Sequence, residues 1–204
     1  MSKLLYTPIL IPTPEVDSDL INSEFNKKCS MHFTKLWNFW TIRFKPYDSD
    51  IERWENRYSN DNIQPIWDND FKVKFPECVN FLDKLPFEEI THINLLKQLK
   101  DIPLHYDYHA NENVKQNNLC YKWMIVLGKK NSFFIESKNK STFFVNPKVD
   151  FSCFCIQESY VKHGAIKRDD EKIVMSIFGK PNIDQHNNLI KLSTEKFYDT
   201  YISE

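Results

Sequence analysis

Six short runs rich in Phe, Ile and Val, spread between residues 90 and 178, constrain the fold of this chain more than any other feature. Polar or proline-containing connections separate the runs, and this pattern is typical of short strands. The runs are Ile90–Lys100, Lys122–Leu127, Ser132–Glu136, Thr142–Val145, Phe151–Ile156 and Lys172–Phe178. Many strands with few helices predict a mainly β fold, a sandwich or barrel of antiparallel strands with helices packed on one outer face.

The remainder of the chain predicts no second domain. Residues 1–74 are irregular in pattern, with prolines at 8, 12, 14, 46 and 65, and are interpreted as extended segments and short helices that cover the core. Residues 75–85 predict one short helix, because the apolar positions 78, 79, 81, 82 and 85 follow the spacing of one helix face and Pro76 suits a first turn. We expect a single domain with an N-terminal extension (1–74), a core (75–180) and a C-terminal segment (181–204).

Charge and glycine content exclude several classes of protein. The 204 residues carry 27 Lys and Arg against 28 Asp and Glu, a formal charge of −1, so no nucleic-acid partner is expected. Three glycines are too few for a glycine-rich phosphate loop. Residues 112–180 are nevertheless basic, with 12 Lys and Arg against 7 Asp and Glu. A basic middle would attract an anionic substrate, and solvated lysines on loops are the alternative interpretation.

Cysteine usage and hydropathy bear on the compartment. Five cysteines, without a C-x-x-C pair, indicate neither a disulfide framework nor a zinc finger. Cys153 and Cys155 are interpreted as buried small hydrophobes. No run of 18 apolar residues is present, so no membrane partner is expected, and the proline-broken run 4–12 lacks a signal-peptide cleavage site. We therefore expect an intracellular, cytoplasmic protein.

A histidine–aspartate pair offers the sharpest chemical pattern. In an extended segment His105 and Asp107 project from the same face, and a second isolated histidine, His163, follows the run that ends at Ile156. Two histidines and one carboxylate on one face of an octahedral metal leave three positions open, as in non-haem Fe(II) oxygenases. Lys172 then opens an apolar strand that places Lys172, Val174 and Ser176 on one face.

With these residues, positions 75–180 resemble the iron(II)/2-oxoglutarate-dependent oxygenases, in particular their prolyl-hydroxylase-like and aspartyl/asparaginyl β-hydroxylase-like branches. The resemblance begins with the segment that leads into the first metal-binding strand of that family. In this chain the similar run is Phe75-Pro76…Leu85-Pro86-Phe87…Pro103-Leu104-His105-Tyr106-Asp107. Phe151…His163…Lys172…Ser176 is similar to its closing strands. The resemblance implies a double-stranded β-helix (a jelly-roll, cupin-like core) and Fe(II) held by His105, Asp107 and His163.

The resemblance also implies the cosubstrates. In that family 2-oxoglutarate chelates the iron, and a basic residue on the strand after the second histidine holds its far carboxylate. That role falls to Lys172, where most relatives have Arg, and Arg168 is the competitor. Ser176 would add a hydroxyl group, and Tyr121 lies where several relatives place a tyrosine donor. With O2 the reaction would hydroxylate a C–H bond of a small-molecule or peptidyl substrate, in particular an amino-acid or peptidyl side chain, and release succinate and CO2. The presence of Asp107 favours hydroxylation over halogenation.

Three alternatives stay open at this point. The chain could be a catalytically silent jelly-roll module that binds a protein or small ligand, in which case the three metal ligands would not converge. It could be an oxygenase that acts on a nucleobase or small metabolite. It could hold a structural zinc ion, for which His109 is the nearby candidate as fourth ligand. The other histidines, His32, His92 and His186, are expected to be structural.

Overall fold

The fold is described from a computed structural model of the chain. The structure describes residues 4–12, 14, 16–49, 52, 53, 56, 62–106, 122–127, 133–136, 142–145, 153–156, 162–167, 173–197, 202 and 203. Thirteen strands lie in these ranges: β1 (Leu4–Pro8), β2 (Ser30–Met31), β3 (Trp37–Phe44), β4 (Ile66–Trp67), β5 (Phe87–Gln98), β6 (Ile102–His105), β7 (Lys122–Leu127), β8 (Phe133–Glu136), β9 (Thr142–Val145), β10 (Cys153–Ile156), β11 (Lys162–Ala165), β12 (Ile173–Pro181) and β13 (Ile202–Ser203).

Four helices have both ends within the described residues: α1 (Ser18–Lys28), α2 (Asn69–Lys74), α3 (Pro76–Leu82) and α4 (Ile183–Lys196). Three of them begin at a side-chain cap, because Asp17, Asp68 and Asn182 each accept a hydrogen bond from a backbone N–H of the first turn. Helix α3 begins instead with Pro76, whose missing N–H costs nothing at that position. No helix among the described residues is long and apolar enough to cross a membrane.

The strands form two antiparallel sheets with nested pairing. The large sheet has the order β13-β1-β10-β7-β12-β5-β3-β2, with β4 paired to β3, and the small sheet has the order β6-β11-β8-β9. Strand β5 pairs with β12, β6 with β11, β7 with β10 and β8 with β9. In the series of eight strands from β5 to β12, the first strand therefore pairs with the last and the second with the second-to-last. The pairing continues inward to β8 and β9. A long antiparallel hairpin rolled into two sheets gives this order, which is that of a jelly roll.

The helices cover one face of the large sheet. Side chains of its four central strands alternate between two faces, and one set joins a single apolar cluster with residues of α1, α2 and α3. The sheet contributes Ile93, Leu95, Trp123, Ile125, Cys153, Cys155, Ile173, Met175 and Ile177 to this cluster, and the helices contribute Ile21, Phe25, Phe71, Cys78, Val79 and Leu82. The predicted mainly β class, with a jelly-roll core and flanking helices, is confirmed.

Several elements differ from the prediction. The helix expected over 75–85 is present as Pro76–Leu82, and the strand expected from Ile90 begins earlier, at Phe87. The irregular N-terminal part contains an eight-residue strand, Trp37–Phe44, because both neighbours, β2 and β5, supply hydrogen bonds to it. Elements that lie outside the predicted runs include β11, α4 and β13.

Candidate functional site

The second face of the large sheet points at the small sheet. Residues that alternate with the helix-facing set point the other way, so Val174, Ser176 and Phe178 lie on this inner face of β12. Contacts between the sheets confirm the direction, since one buried cluster joins Tyr6 and Ile156 of the large sheet to residues 135 and 165 of the small sheet. The space between the sheets is therefore the interior of the jelly roll.

The structure brings two of the predicted metal ligands together on the inner face of the small sheet. His105, at the end of β6, is the register partner of His163, near the start of β11, and their ring centroids are 4.6 Å apart. The neighbouring residues point outward, since Lys162 forms an ion pair with Glu136 and its Nζ lies over the ring of the exposed Tyr106. Because successive side chains of a strand alternate, the two histidines point inward.

The backbone fixes the tautomer of His105. Its Nδ1 lies 2.9 Å from the carbonyl oxygen of Pro103, so the ring donates its Nδ1–H to that oxygen. The lone pair then lies on Nε2, which is the atom able to bind a metal ion. A histidine ligand that donates its other N–H to a backbone carbonyl is the usual arrangement in metal sites, where this hydrogen bond orients the ring.

The ring separation allows both imidazoles to reach one ion. A ring nitrogen about 2.1 Å from an ion places the ring centre about 3.2 Å from it, so two rings bound to one ion have centres at most about 6.4 Å apart. The 4.6 Å between the centres of the His105 and His163 rings lies within that limit.

The other predicted ligands are described only in part. Asp107, Tyr121, Arg168 and Lys172 lie outside the described residues, as does His109 of the zinc alternative. Within the described ranges no group of three or more His, Cys, Asp or Glu residues is placed to hold a metal ion. The assignment of Asp107 as the third ligand stays a prediction.

Ser176 lies in a polar row across the inner face of the large sheet. It is the register partner of Asn94 on β5 and of Met124 on β7, and the Asn94 amide oxygen accepts a 2.8 Å hydrogen bond from the Thr41 hydroxyl. The Ser176 hydroxyl is buried, and its Oγ has no hydrogen-bond partner among the residues that the structure describes. A buried unsatisfied hydroxyl is costly, so this group is suited to a ligand between the sheets.

The next row of the inner face contains two polar residues that were not predicted as site residues. Lys122 and His92 are both buried, and both pack on Phe178, with the Lys122 Nζ 5.5 Å and the His92 ring 6.1 Å from the Phe178 ring centroid. The period-2 pattern of residues 122–127 predicts that Lys122 and Trp123 lie on opposite faces of the strand. Only the pairing of the strands shows which of the two side chains points into the interior.

Cys153 and Cys155 contribute to packing and not to the site. Cys153 and Cys155 lie on the helix-facing side of β10, in the apolar core. Burial raises the pKa of both thiols above the usual range, so they stay protonated and are poor metal ligands and nucleophiles. Their expected role as small hydrophobes agrees with this environment.

A surface cavity of about 360 Å³ lies away from the two histidines, at the start of β5. Its lining includes Arg43, Asp83, Glu88 and Glu89, and none of the predicted site residues belongs to it. Arg43 pairs with Asp83 at 3.0 Å, and Glu89 pairs at 3.0 Å with the buried Lys45. Glu88 pairs with Lys180, so each of the four charged residues of the cavity belongs to an ion pair.

Comparison with known proteins gives resemblances in structure only. No protein-family model matches the sequence, and no curated protein matches it. The chain is similar to an oxidoreductase of the 2OG-Fe(II) oxygenase family from Burkholderia pseudomallei, at 13% identity and a TM-score of 0.47 over 85% of this chain and 86% of that one.

A prolyl-4-hydroxylase from Pseudomonas putida is similar at 8% identity and a TM-score of 0.45, over 86% of this chain and 91% of its own. The full-length Neurospora crassa T7H, solved in complex with alpha-KG, is similar at 11% identity and a TM-score of 0.41, over 87% of this chain and 64% of its own. The jelly-roll architecture itself is defined by the strand pairing of this chain.

Proposed function

We propose that the protein is an iron(II)- and 2-oxoglutarate-dependent dioxygenase that hydroxylates an unactivated C–H bond. The observation that carries the proposal is the cross-strand pair of His105 and His163, whose rings lie 4.6 Å apart inside a jelly roll. The two residues are 58 positions apart in sequence, and the pairing of β6 with β11 makes them neighbours. This separation is short enough for both rings to bind one ion.

The chain supplies a complete ligand set in this proposal. His105 and His163 hold the iron together with Asp107, which follows His105 by two residues. Lys172 or Arg168 binds the far carboxylate of 2-oxoglutarate, with help from the Ser176 hydroxyl and Tyr121. Iron with 2-oxoglutarate and O2 supplies the oxidising power for hydroxylation, with release of succinate and CO2.

The protein side chains have two further tasks. The His105 ring is held in one orientation by its hydrogen bond to the Pro103 carbonyl, so its coordinating nitrogen is fixed before a metal arrives. Ile135 and Ile156, which belong to the buried cluster between the sheets, keep water away from this part of the interior. The substrate class, an amino-acid or peptidyl side chain, is taken from the sequence resemblance alone.

The proposal is tested by anaerobic titration of the purified protein with Fe(II) and 2-oxoglutarate. We expect a weak visible metal-to-ligand charge-transfer band that fades when O2 is admitted, with release of succinate. His105→Ala should abolish the band, because the iron would lose one of its protein ligands. Equilibrium dialysis with Fe(II) alone measures the same loss without turnover.

The control is His32→Ala, which removes a histidine packed on Trp37 in the β2–β3 region, remote from the pair. This variant should retain the band, and circular dichroism should show that both variants are folded. A folded wild-type protein that gives no band and binds no 2-oxoglutarate would contradict the proposal. It would favour the catalytically silent binding module instead.

A further inference from the structure

Two buried polar residues, Asn94 of β5 and Ser176 of β12, lie side by side on the inner face of the large sheet. They are register partners, and each is 1% exposed; we call them the polar pair. The Ser176 Oγ has no hydrogen-bond partner among the residues that the structure describes, so the neighbouring Asn94 amide does not bond to it. A buried hydroxyl without a partner is costly, and a third group placed against both side chains would remove that cost.

A hydrogen bond from β3 fixes the direction of the Asn94 amide. The Thr41 hydroxyl, on that neighbouring strand, donates to the Asn94 Oδ1 at 2.8 Å. Strand β5 lies between β3 and β12, and the oxygen and nitrogen of an amide lie on opposite sides of its carbon. Because the oxygen is turned toward β3, the NH2 group is turned toward the Ser176 side. The polar pair therefore presents two neutral hydrogen-bond donors beside each other.

The polar pair lies level with the two histidines of the small sheet. At one end of the interior, the Gln98 Nε2 donates to the Ala165 carbonyl oxygen at 3.0 Å and joins the end of β5 to β11. Ala165 is the register partner of Ile102, and His105 follows Ile102 by three residues. Asn94 precedes Gln98 by four residues. At about 3.3 Å per residue, the polar pair and the histidines both lie about 10–13 Å from this end of the interior.

The distance between the sheets suits a short diacid. Packed sheets lie about 10 Å apart, so a five-carbon diacid that is bound at the histidines by one end has its other end within reach of the large sheet. Packing confirms that these parts of the two sheets face each other. Phe154 lies in the same row of the large sheet as Ser176, and it packs in one cluster with Ile135, the register partner of His163. The polar pair is therefore placed to meet the far carboxylate of 2-oxoglutarate.

The predicted anchor of that carboxylate is compatible with such donors. Lys172 is predicted to hold it, and a lysine makes a point-charge contact where an arginine makes two directed hydrogen bonds. A carboxylate has about four lone-pair positions, so one cation leaves several of them to other donors. Two neutral donors at fixed positions would supply the directed contacts that a lysine lacks, without burying a second charge.

We propose that Asn94 binds the far carboxylate of 2-oxoglutarate together with Ser176, and that Thr41 positions the Asn94 amide for this contact. The inference rests on the proposed dioxygenase function, and it adds a binding residue and a positioning residue that the sequence pattern does not indicate. Neither residue takes part in the oxidation itself.

The test measures the affinity for 2-oxoglutarate from the charge-transfer band, anaerobically, in protein saturated with Fe(II). Asn94→Leu keeps the size of the side chain without its amide, and it should weaken 2-oxoglutarate binding at least tenfold. Thr41→Val should cause a smaller loss, and Thr41→Ser, which keeps the hydroxyl, should bind like wild type. Two further affinities should equal those of wild type in every variant. One is for Fe(II) alone, measured by equilibrium dialysis, and the other is for 2-oxovalerate, which has the same carbon chain without the far carboxylate.

The matched control removes a buried hydroxyl from the other face of the same sheet. Thr7 is buried and pairs in register with Cys155 of the helix-facing cluster, so Thr7→Val should leave the 2-oxoglutarate affinity unchanged. Circular dichroism shows whether each variant is folded, and Asn94→Ala replaces Asn94→Leu if the latter is not.

The possible outcomes separate this proposal from the proposed function. A folded Asn94 variant that binds 2-oxoglutarate as tightly as wild type would overturn the proposal and leave the dioxygenase function in place. An equal loss of 2-oxovalerate or Fe(II) affinity would assign Asn94 to the iron end of the site and would also overturn it. Wild-type affinity in Thr41→Val would refute the positioning role of Thr41. Wild-type protein that binds no 2-oxoglutarate would contradict the dioxygenase function itself, and the proposal with it.

Discussion

His186 should make the stability of the fold depend on pH. This residue of α4 is 2% exposed and its ring packs 5.7 Å from that of Trp123 in the apolar core. Burial lowers the pKa of His186 to about 4, from an ordinary value of 6.5. The folded protein therefore keeps the ring neutral at a pH where the unfolded chain already binds a proton.

The sign and size of the effect follow from linkage. The unfolded state binds more protons between pH 6.5 and about 4, so the free energy of unfolding is fully retained above pH 6.5 and decreases as the pH falls through this window. The pKa difference corresponds to about 3 kcal/mol once the pH is below both pKa values, and to about 2 kcal/mol at pH 5. Such a loss is a large part of the stability of an ordinary domain.

The assay is urea unfolding followed by tryptophan fluorescence at pH 7.5, 6 and 5, for wild type and His186→Leu. Leucine fills the site without a titrating group, so the decrease in the free energy of unfolding from pH 7.5 to pH 5 should be about 2 kcal/mol smaller in the variant. His32→Leu is the control. Burial also lowers the pKa of His32, but its ring is only partly buried and its contribution should be smaller. Parallel pH profiles for wild type and His186→Leu would refute the reasoning.

Two further substitutions test the packing of the sheets and of α1. Gly164→Ala should destabilise the fold by about 1–3 kcal/mol, because a Cβ atom there would lie 2.5 Å from the Ile102 carbonyl oxygen, and an unchanged urea midpoint would contradict this close approach. Hydrogen bonds from Lys27 and then Lys74 hold the pKa of the Glu24 carboxyl at about 2, so the carboxylate stabilises the fold above pH 4.5 and this stabilisation is lost as the pH falls to 2. Glu24→Gln removes the titrating group, so the free energy of unfolding should decrease less between pH 4.5 and 2 in the variant. Thermal unfolding at pH 3 and pH 7 measures this difference, and an equal difference in both proteins would contradict it.

The sequence predicts most strands of the jelly roll because they are apolar runs with clear ends. Strand β11 is not identified by this criterion, because Lys162–Ala165 contains no β-branched or aromatic residue. Its pairing with β6 and β8 determines its conformation instead. Helix α4 carries a capping residue, Asn182, that could have been recognised in the sequence. Strand β3 lies in residues 1–74, whose pattern predicts only extended segments and short helices, and its pairing with β2 and β5 defines it.

The histidine pair shows what spacing alone leaves open. The H-x-D pattern predicts that His105 and Asp107 share a face, and nothing in the separation of 58 positions from His105 to His163 predicts that the two imidazoles meet. Nested strand pairing brings them into register. Lys122 was missed for a related reason, because alternation sorts residues into two faces but only the second sheet decides which face is the interior.

The two faces of the large sheet differ in a way that packing alone does not explain. The helix-facing set is mostly apolar, with the buried Thr7 as a polar member, whereas the inner face carries the buried side chains of His92, Asn94, Lys122 and Ser176. Apolar residues would stabilise a sheet buried on both faces at least as well, because buried polar groups gain little net stability even when they are paired. The polar residues concentrate on the face that looks toward His105 and His163. The proposed ligand site between the sheets would account for this asymmetry, which depends only on the residues and strand pairing of this chain.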